Sequence, residues 1–229
     1  MTKLDRVGRR FAIPEPGVES LRAVLDLQAH DPDASTTVRD PAAAVDRHVA
    51  DSLVAVELPE VRAATRIADL GAGAGWPGLA LAAVLPDAHV ALVESVARRC
   101  RYLARAVEAG RLPNVEVVHA RAEEWPDGIG AHDLVVARAL ASLPVLCEYA
   151  APLLQPDGLL VAWKGAPEPA EVAAGVAAAE LVGLAPAGLH AVTPFPAAER
   201  RTLHVFRKVA PTPPRFPRRA GMAVKRPLG

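Results

Sequence analysis

The chain has 229 residues, 51% of them hydrophobic, and its 26 basic side chains balance 26 acidic ones. This length provides one domain with a full hydrophobic core, so the fold requires neither a disulfide nor a structural metal. The neutral total hides a division, because residues 200–229 carry nine basic and no acidic side chains, and residues 1–199 carry a net charge of −9. Neutrality therefore does not exclude a nucleic-acid partner.

Several classes of protein are excluded by what the sequence lacks. No run of 18 apolar residues is free of charges and prolines, and the first residues have no apolar signal-peptide core. Cys100 and Cys147 lie in helical patterns without a CxxC pair or nearby histidines. We expect no membrane partner, no metal and a cytoplasmic protein.

The first 64 residues predict a helical extension. Val18, Leu21 and Leu25 lie on one face of a helix over residues 17–29. The Asp40-Pro41 pair then provides a helix cap followed by a proline in the first turn, which predicts a second helix.

From Thr65 to Val209 the pattern changes to alternating strands and helices. The predicted strands are Arg66–Leu70, His89–Glu94, Val115–His119, Asp133–Ala137, Gly158–Lys164, Leu189–Val192 and Thr202–Val209. Helical patterns over residues 95–110, 143–154 and 168–181 separate most of them. This alternation predicts an α/β fold with a seven-stranded, mostly parallel sheet. No helix separates the last two strands, so we expect the final strand to be antiparallel.

The last segment, residues 210–229, is rich in prolines and basic side chains. This composition predicts an extended surface chain. Its cations are suited to salt-dependent contacts with RNA phosphates.

A glycine-rich turn follows the first predicted strand, where residues 67–78 read IADLGAGAGWPG. Gly73, Gly75 and Gly78 satisfy the spacing of the dinucleotide fingerprint, so an NAD-binding site is one alternative. However, Asp69 lies at the strand end beside the turn. A carboxylate there disfavours a pyrophosphate at the helix N-terminus.

S-adenosylmethionine fits this turn better, because it carries an ammonium and a sulfonium and no phosphate. Asp69 is a candidate for holding the ammonium, and the backbone N–H groups around Gly71 and Gly73 for meeting the carboxylate. Glu94 ends the next strand, where an acidic side chain can accept hydrogen bonds from both ribose hydroxyls. The set favours an S-adenosylmethionine-dependent methyltransferase.

Together with other short motifs, the turn resembles the bacterial 16S rRNA guanine-N7 methyltransferase family, also called the glucose-inhibited division protein B family. The similarity extends from about Asp40 to the end of the chain. The additional motifs are RHVADSL at 47–53, RAEE at 121–124, ARA at 137–139, WKG at 163–165, PRRAG at 217–221 and KRPL at 225–228.

The resemblance implies a Rossmann-like class I methyltransferase fold, S-adenosylmethionine as cofactor, and 16S rRNA within the small ribosomal subunit or its precursor as partner. It places cofactor contacts on Gly71, Trp76, Ala122, Glu123 and Arg138. Ala122 would offer its backbone to the adenine, and Glu123 a carboxylate near it.

Methylation of guanine N7 needs no general base, because this nitrogen has an in-plane lone pair and no proton. We therefore look for positioning groups, and Arg138 and Lys164 are the candidates for the catalytic site. Arg138 either presents the guanine through its O6 or contacts the cofactor. Lys164 either contacts RNA or is a solvated charge at a strand end.

His48, Asp51 and Ser52 include the residue types of a hydrolase triad. They lie within about one helical turn, and the sequence has no GxSxG motif. A hydrogen-bonding group that packs the N-terminal helices on the sheet is the better interpretation.

One segment, residues 28–39, departs from the family pattern, which usually carries Trp-Asn followed by Asn-Leu-Thr between the two N-terminal helices. A small-molecule methyltransferase and a non-catalytic rRNA-binding assembly factor remain alternatives to the rRNA methyltransferase.

Overall fold

The computed structural model describes residues 1–229. Its seven strands are β1 (Arg66–Leu70), β2 (His89–Glu94), β3 (Val115–His119), β4 (His132–Arg138), β5 (Leu154–Lys164), β6 (Leu184–Val192) and β7 (Arg201–Lys208). They form one sheet in the order β3-β2-β1-β4-β5-β7-β6. The pairs from β3 through β5 are parallel, and β7 is antiparallel to both β5 and β6. The predicted mostly parallel α/β sheet with an antiparallel last strand is confirmed.

Ten α-helices accompany the sheet. They are α1 (Lys3–Phe11), α2 (Glu15–His30), α3 (Pro41–Ala44), α4 (Asp51–Leu53), α5 (Pro59–Arg62), α6 (Gly78–Val84), α7 (Ala97–Gly110), α8 (Leu143–Ala150), α9 (Pro169–Val182) and α10 (Met222–Lys225). None of them is both long and apolar enough to cross a membrane.

Two apolar layers cover the two faces of the sheet, because successive side chains of a strand point to opposite sides. Ile67 belongs to the layer formed with the N-terminal helices, α6 and α7. Its neighbour Ala68 belongs to the layer formed with α8 and α9. Because β1 to β5 run parallel, their carboxyl ends meet at one edge of the sheet, between these helical layers.

The N-terminal part is helical, as predicted, but its second helix is interrupted. A π-helical stretch over Val45–Ala50 lies between α3 and α4, and a 3-10 turn over Val54–Glu57 follows. Such π-helical stretches frequently occur at functional sites. Here the stretch contains His48, and Asp51 follows it directly as the first residue of α4.

The divergent segment 28–39 is fixed to α7 by charged side chains. Arg105 donates to both carboxylate oxygens of Asp31, at 2.8 and 3.0 Å, and to Asp33 at 3.0 Å. Arg39 donates to the backbone carbonyls of Gln28 and Asp31, both at 2.6 Å. The segment is therefore a structural link between α2 and α7.

The C-terminal tail differs from the extended surface chain that its composition predicts. Phe216 and Ala223 are only 8% and 1% exposed, and both belong to the apolar layer that contains α8. Prolines and charges dominate the composition, but these two apolar side chains dock the tail onto the domain.

Candidate functional site

The glycine turn after β1 adopts backbone conformations that favour glycine. Gly71 and Gly73 have φ angles of 66° and 56°, in the left-handed region. A Cβ on Gly71 would lie 2.5 Å from the side chain of Leu140, whereas one on Gly73 would meet nothing nearer than 3.6 Å. The turn thus exposes backbone on the side of Gly73 and is covered by Leu140 at Gly71.

Asp69 lies at the carboxyl end of β1 and is almost completely buried. Its Oδ2 atom accepts a hydrogen bond of 2.8 Å from the backbone N–H of Gly78, at the start of α6. Burial raises the pKa of this carboxyl group to about 7, against the opposing effects of the Gly78 hydrogen bond and the Arg138 charge. Asp69 thus changes its charge near neutral pH.

Glu94, at the end of β2, is also buried. One carboxylate oxygen accepts from the N–H of Gly73 at 3.1 Å and the other from the N–H of Val96 at 2.9 Å. Arg99 lies 3.5 Å from the first of these oxygens. The carboxylate is therefore attached directly to the glycine turn of the neighbouring strand.

A cavity of about 110 Å³ opens between the turn and the loop after β3. Gly71, Ala122 and Glu123 line it, together with Leu140 and Tyr149. Three residues that the sequence analysis assigned to the cofactor are therefore brought together. The cavity is smaller than most sites for whole cofactors, and Leu140, which is 39% exposed, covers its glycine side.

Trp76 does not line this cavity. Its ring is buried and stacks on His48, with ring centroids 5.6 Å apart and an angle of 4° between the planes. Its indole N–H donates to Oε1 of Gln28 at 2.7 Å. The structure thus places Trp76 between the glycine turn and the N-terminal helices, where it attaches the turn to these helices.

A second cavity, of about 420 Å³, lies beyond the end of β4. Arg138 lines it, and its Nη1 atom donates to Oδ2 of Asp51 at 2.8 Å and to the carbonyl of Arg47 at 3.2 Å. Burial lowers the pKa of Arg138, and the adjacent Asp51 opposes that shift. The next two residues, Ala139 and Leu140, connect the two cavities, since Ala139 lines the second and Leu140 the first.

Lys164, at the end of β5, lines the same second cavity. Its Nζ atom lies 2.6 Å from Oε1 of Glu171 in α9 and donates to the carbonyl of Ala141 at 3.3 Å. Although burial opposes it, the hydrogen bond from Lys164 lowers the pKa of Glu171. Lys164 is therefore a paired cation and not a fully solvated one.

Comparisons with known proteins give the family of the chain. The family model GidB, described as rRNA small subunit methyltransferase G, matches residues 34–194. The chain belongs to this family. A ribosomal RNA small subunit methyltransferase G from Rubrobacter xylanophilus is 39% identical over 196 residues, covering 83% of this chain and 75% of the relative. One from Symbiobacterium thermophilum is 36% identical over 225 residues, covering 93% and 92%.

Solved structures give the fold of this GidB family member. A SAM-dependent methyltransferase from Aquifex aeolicus matches with a TM-score of 0.56 at 16% identity, covering 73% of this chain and 93% of that one. A 16S rRNA (adenine(1408)-N(1))-methyltransferase from Catenulisporales acidiphilia matches with a TM-score of 0.53 at 18% identity, covering 69% and 92%. The fold is the Rossmann-like class I methyltransferase fold.

In this GidB family member, the group formed by His48, Asp51 and Ser52 links the N-terminal helices to the sheet. His48 lies 3.0 Å from the Thr36 hydroxyl, and burial lowers its pKa to about 4. The backbone carbonyl of Asp51 accepts from the Trp163 indole at 2.7 Å. Ser52 is fully buried, and its hydroxyl has no hydrogen-bond partner. These contacts agree with a packing role and provide no nucleophile–base pair.

Arg201, which the sequence analysis did not single out, also lines the second cavity, and its Nε atom lies 3.2 Å from Oδ1 of Asp51. Asp51 therefore lies between two arginines that are 63 positions apart in the sequence. The only indication of this arrangement in the sequence was the position of Asp51 within the RHVADSL motif. No group of three or more His, Cys, Asp or Glu side chains is arranged to hold a metal ion, and both cysteines are free and buried.

Proposed function

We propose that this protein transfers the methyl group of S-adenosylmethionine to N7 of a guanine in small-subunit ribosomal RNA. One observation supports this most strongly. A cavity beside the glycine turn and a cavity lined by cations lie at the carboxyl ends of neighbouring strands, joined by the chain from Arg138 to Leu140. Open α/β sheets bind their ligands at this edge.

The groups around the first cavity fit S-adenosylmethionine. The cofactor is a cation that carries hydroxyl, amine and carboxylate groups, and when bound it supplies an electrophilic methyl group. Glu94 is suited to the ribose hydroxyls, Glu123 to the adenine amine, and Asp69 to the ammonium. Leu140 must move away from Gly71 to admit the whole molecule, because its side chain occupies the space over that glycine.

The second cavity is suited to holding a guanine by its edge. Arg138 can donate to O6 and leave N7 free, and it then exchanges its bond to Asp51 for one to the base. No group need remove a proton, because N7 has none. The protein accelerates transfer by placing the two reactants in line, and such positioning removes a large part of the barrier.

The RNA must present this guanine outside a regular helix. The major groove of paired RNA is deep and narrow and excludes side chains, so the target lies in a loop or is turned out of the stack. Lys164, Arg47 and Arg201 surround the second cavity and are suited to phosphates next to the target. We infer that the enzyme works in the cytoplasm, where small ribosomal subunits are assembled.

The proposal is tested with S-adenosylmethionine labelled in its methyl group, incubated with small-subunit particles, naked rRNA or a tRNA pool. We expect label in small-subunit rRNA, supplied as particles or as naked RNA, and none in tRNA. RNA binding without label would favour the non-catalytic assembly factor. Calorimetry with S-adenosylmethionine and, separately, with NAD completes the test. Binding of NAD but not of S-adenosylmethionine would overturn the proposal.

A further inference from the structure

The C-terminal segment, residues 215–229, is anchored to α8 by a buried ion pair. The side chain of Glu148 is 1% exposed. Arg218 donates to it through two parallel bonds, from Nε to Oε1 at 2.7 Å and from Nη2 to Oε2 at 2.5 Å. The same Nη2 atom donates to the carbonyl of Arg226 at 2.9 Å. A buried carboxylate requires such a partner, so Arg218 is committed to the protein and is not free for RNA.

Three residues further along, the segment touches the first cavity. The backbone N–H of Gly221 donates to Oε1 of Glu123 at 2.9 Å. Gly221 has a φ of 79°, and the space beside its Cα is open. The hydrogen bond fixes the direction of one oxygen of the Glu123 carboxylate.

Helix α8 brings these contacts together. Glu148 binds Arg218, and its neighbour Tyr149 lines the first cavity. Burial and the adjacent Glu123 carboxylate raise the pKa of Tyr149 to about 12. The ion pair, the Gly221 amide and Glu123 therefore form one connected unit at the end of the cavity that we assign to adenine.

We propose that Arg218 and Glu148 are positioning residues of the cofactor site, which hold the Gly221 amide on Glu123 and so fix the carboxylate for the adenine amine. This inference rests on the proposed use of S-adenosylmethionine. Glu123 is half-buried in a 3-10 turn and also contacts Tyr149, so loss of the Gly221 contact removes a fixed backbone donor, and the carboxylate is less restricted before the cofactor binds. Ordering a flexible side chain in advance increases affinity.

The test compares Arg218 with its neighbour Arg219, which is exposed and forms no ion pair. Calorimetry with S-adenosylhomocysteine is run on the full-length protein and on the variants Arg218→Ala, Arg218→Lys and Arg219→Ala. We expect the Kd to rise about tenfold in Arg218→Ala, less in Arg218→Lys, and by less than twofold in Arg219→Ala. The KM for S-adenosylmethionine follows the same order, with kcat nearly unchanged.

Equal affinities of Arg218→Ala and wild type overturn the inference and leave the proposed function intact. A wild-type protein that binds neither S-adenosylmethionine nor S-adenosylhomocysteine overturns the proposed function itself. Because loss of Arg218 leaves a buried charge and can destabilise the fold, a second measurement uses the unaltered protein. Hydrogen exchange of the Gly221 amide should slow when S-adenosylhomocysteine binds, and an unchanged rate contradicts the inference.

Discussion

The two cavities hold their charged side chains in different ways. At the glycine turn and the first cavity beside it, the carboxylates of Asp69, Glu94 and Glu123 accept hydrogen bonds from backbone N–H groups. Around the second, Arg138 and Lys164 are paired with the carboxylates of Asp51 and Glu171. Backbone donors are fixed by the fold, whereas side-chain ion pairs can exchange partners. The carboxylates at the first site are therefore oriented before any ligand arrives, and only Leu140 must move there, whereas the ion pairs of the second cavity must exchange partners when RNA binds.

A second arginine stabilises Asp51 when Arg138 exchanges this carboxylate for the RNA base. When Arg138 leaves Asp51, the buried carboxylate would lose its closest cation, which is costly. Arg201 lies 3.2 Å from the other oxygen of Asp51 and keeps it neutralised. The difference between the cavities predicts that changes in the second affect RNA methylation and spare cofactor binding.

Arg138→Lys should give the largest difference between the effect on RNA methylation and the effect on cofactor binding. The substitution keeps the charge but loses the planar guanidinium group. We expect kcat/KM for RNA to fall about 100-fold, a loss of about 2.7 kcal/mol of transition-state stabilisation. The Kd for S-adenosylmethionine should change less than twofold. Methylation kinetics and calorimetry measure the two quantities. A large rise in the cofactor Kd would instead assign Arg138 to the first cavity.

At the first cavity, cofactor affinity should depend on pH through Asp69. Its pKa is raised to about 7, so the group is mostly protonated at pH 5.5 and half ionised at pH 7. Since only the carboxylate attracts an ammonium, the Kd for S-adenosylmethionine should fall about tenfold over this range. Glu94 and Arg138 are the charged groups that act on Asp69.

The control for this pH profile is Asp69→Asn, which retains an acceptor for the Gly78 N–H and does not ionise. Calorimetry at several pH values should show a flat profile for the variant. An equally steep profile in both proteins would assign the titration to another group.

A smaller effect is expected from Lys164→Gln at the second cavity. Loss of one phosphate contact should weaken RNA binding about fivefold. It should also make the slope of log K against log salt concentration shallower by about 0.7. Arg207→Gln is a matched control. Lys164 lies beside Thr202 at the start of β7, whereas Arg207 lies near the other end of that strand and pairs with Glu60 at 3.6 Å. Filter binding at several salt concentrations measures both variants, and equal losses would reduce Lys164 to a general charge effect.

The smallest effect should come from Arg219→Ala, outside both cavities. This exposed cation of the C-terminal segment should contribute about a threefold factor in RNA affinity. The same salt series checks it. Unchanged affinity would remove the exposed tail cations from the RNA-binding surface.

The strands were predictable because each is a short β-type run followed by a helical pattern, and the sheet edge then follows from parallel pairing. The glycine turn, Asp69 and Glu94 were predictable for the same reason. The position of Trp76 was not, because its partner Gln28 lies 48 positions away. The docked tail depends on a still longer contact, between Arg218 and Glu148, 70 positions apart. The composition does not indicate that Arg218 pairs with the buried Glu148 and that Arg219 is exposed.

The most direct test of the account is the identity of the methylated nucleoside. Small-subunit particles are incubated with the protein and methyl-labelled S-adenosylmethionine, and the rRNA is digested to nucleosides for chromatography and mass spectrometry. The account predicts that all enzyme-dependent label is found in 7-methylguanosine. Label in a guanosine methylated at another atom, or in another nucleoside, would contradict it.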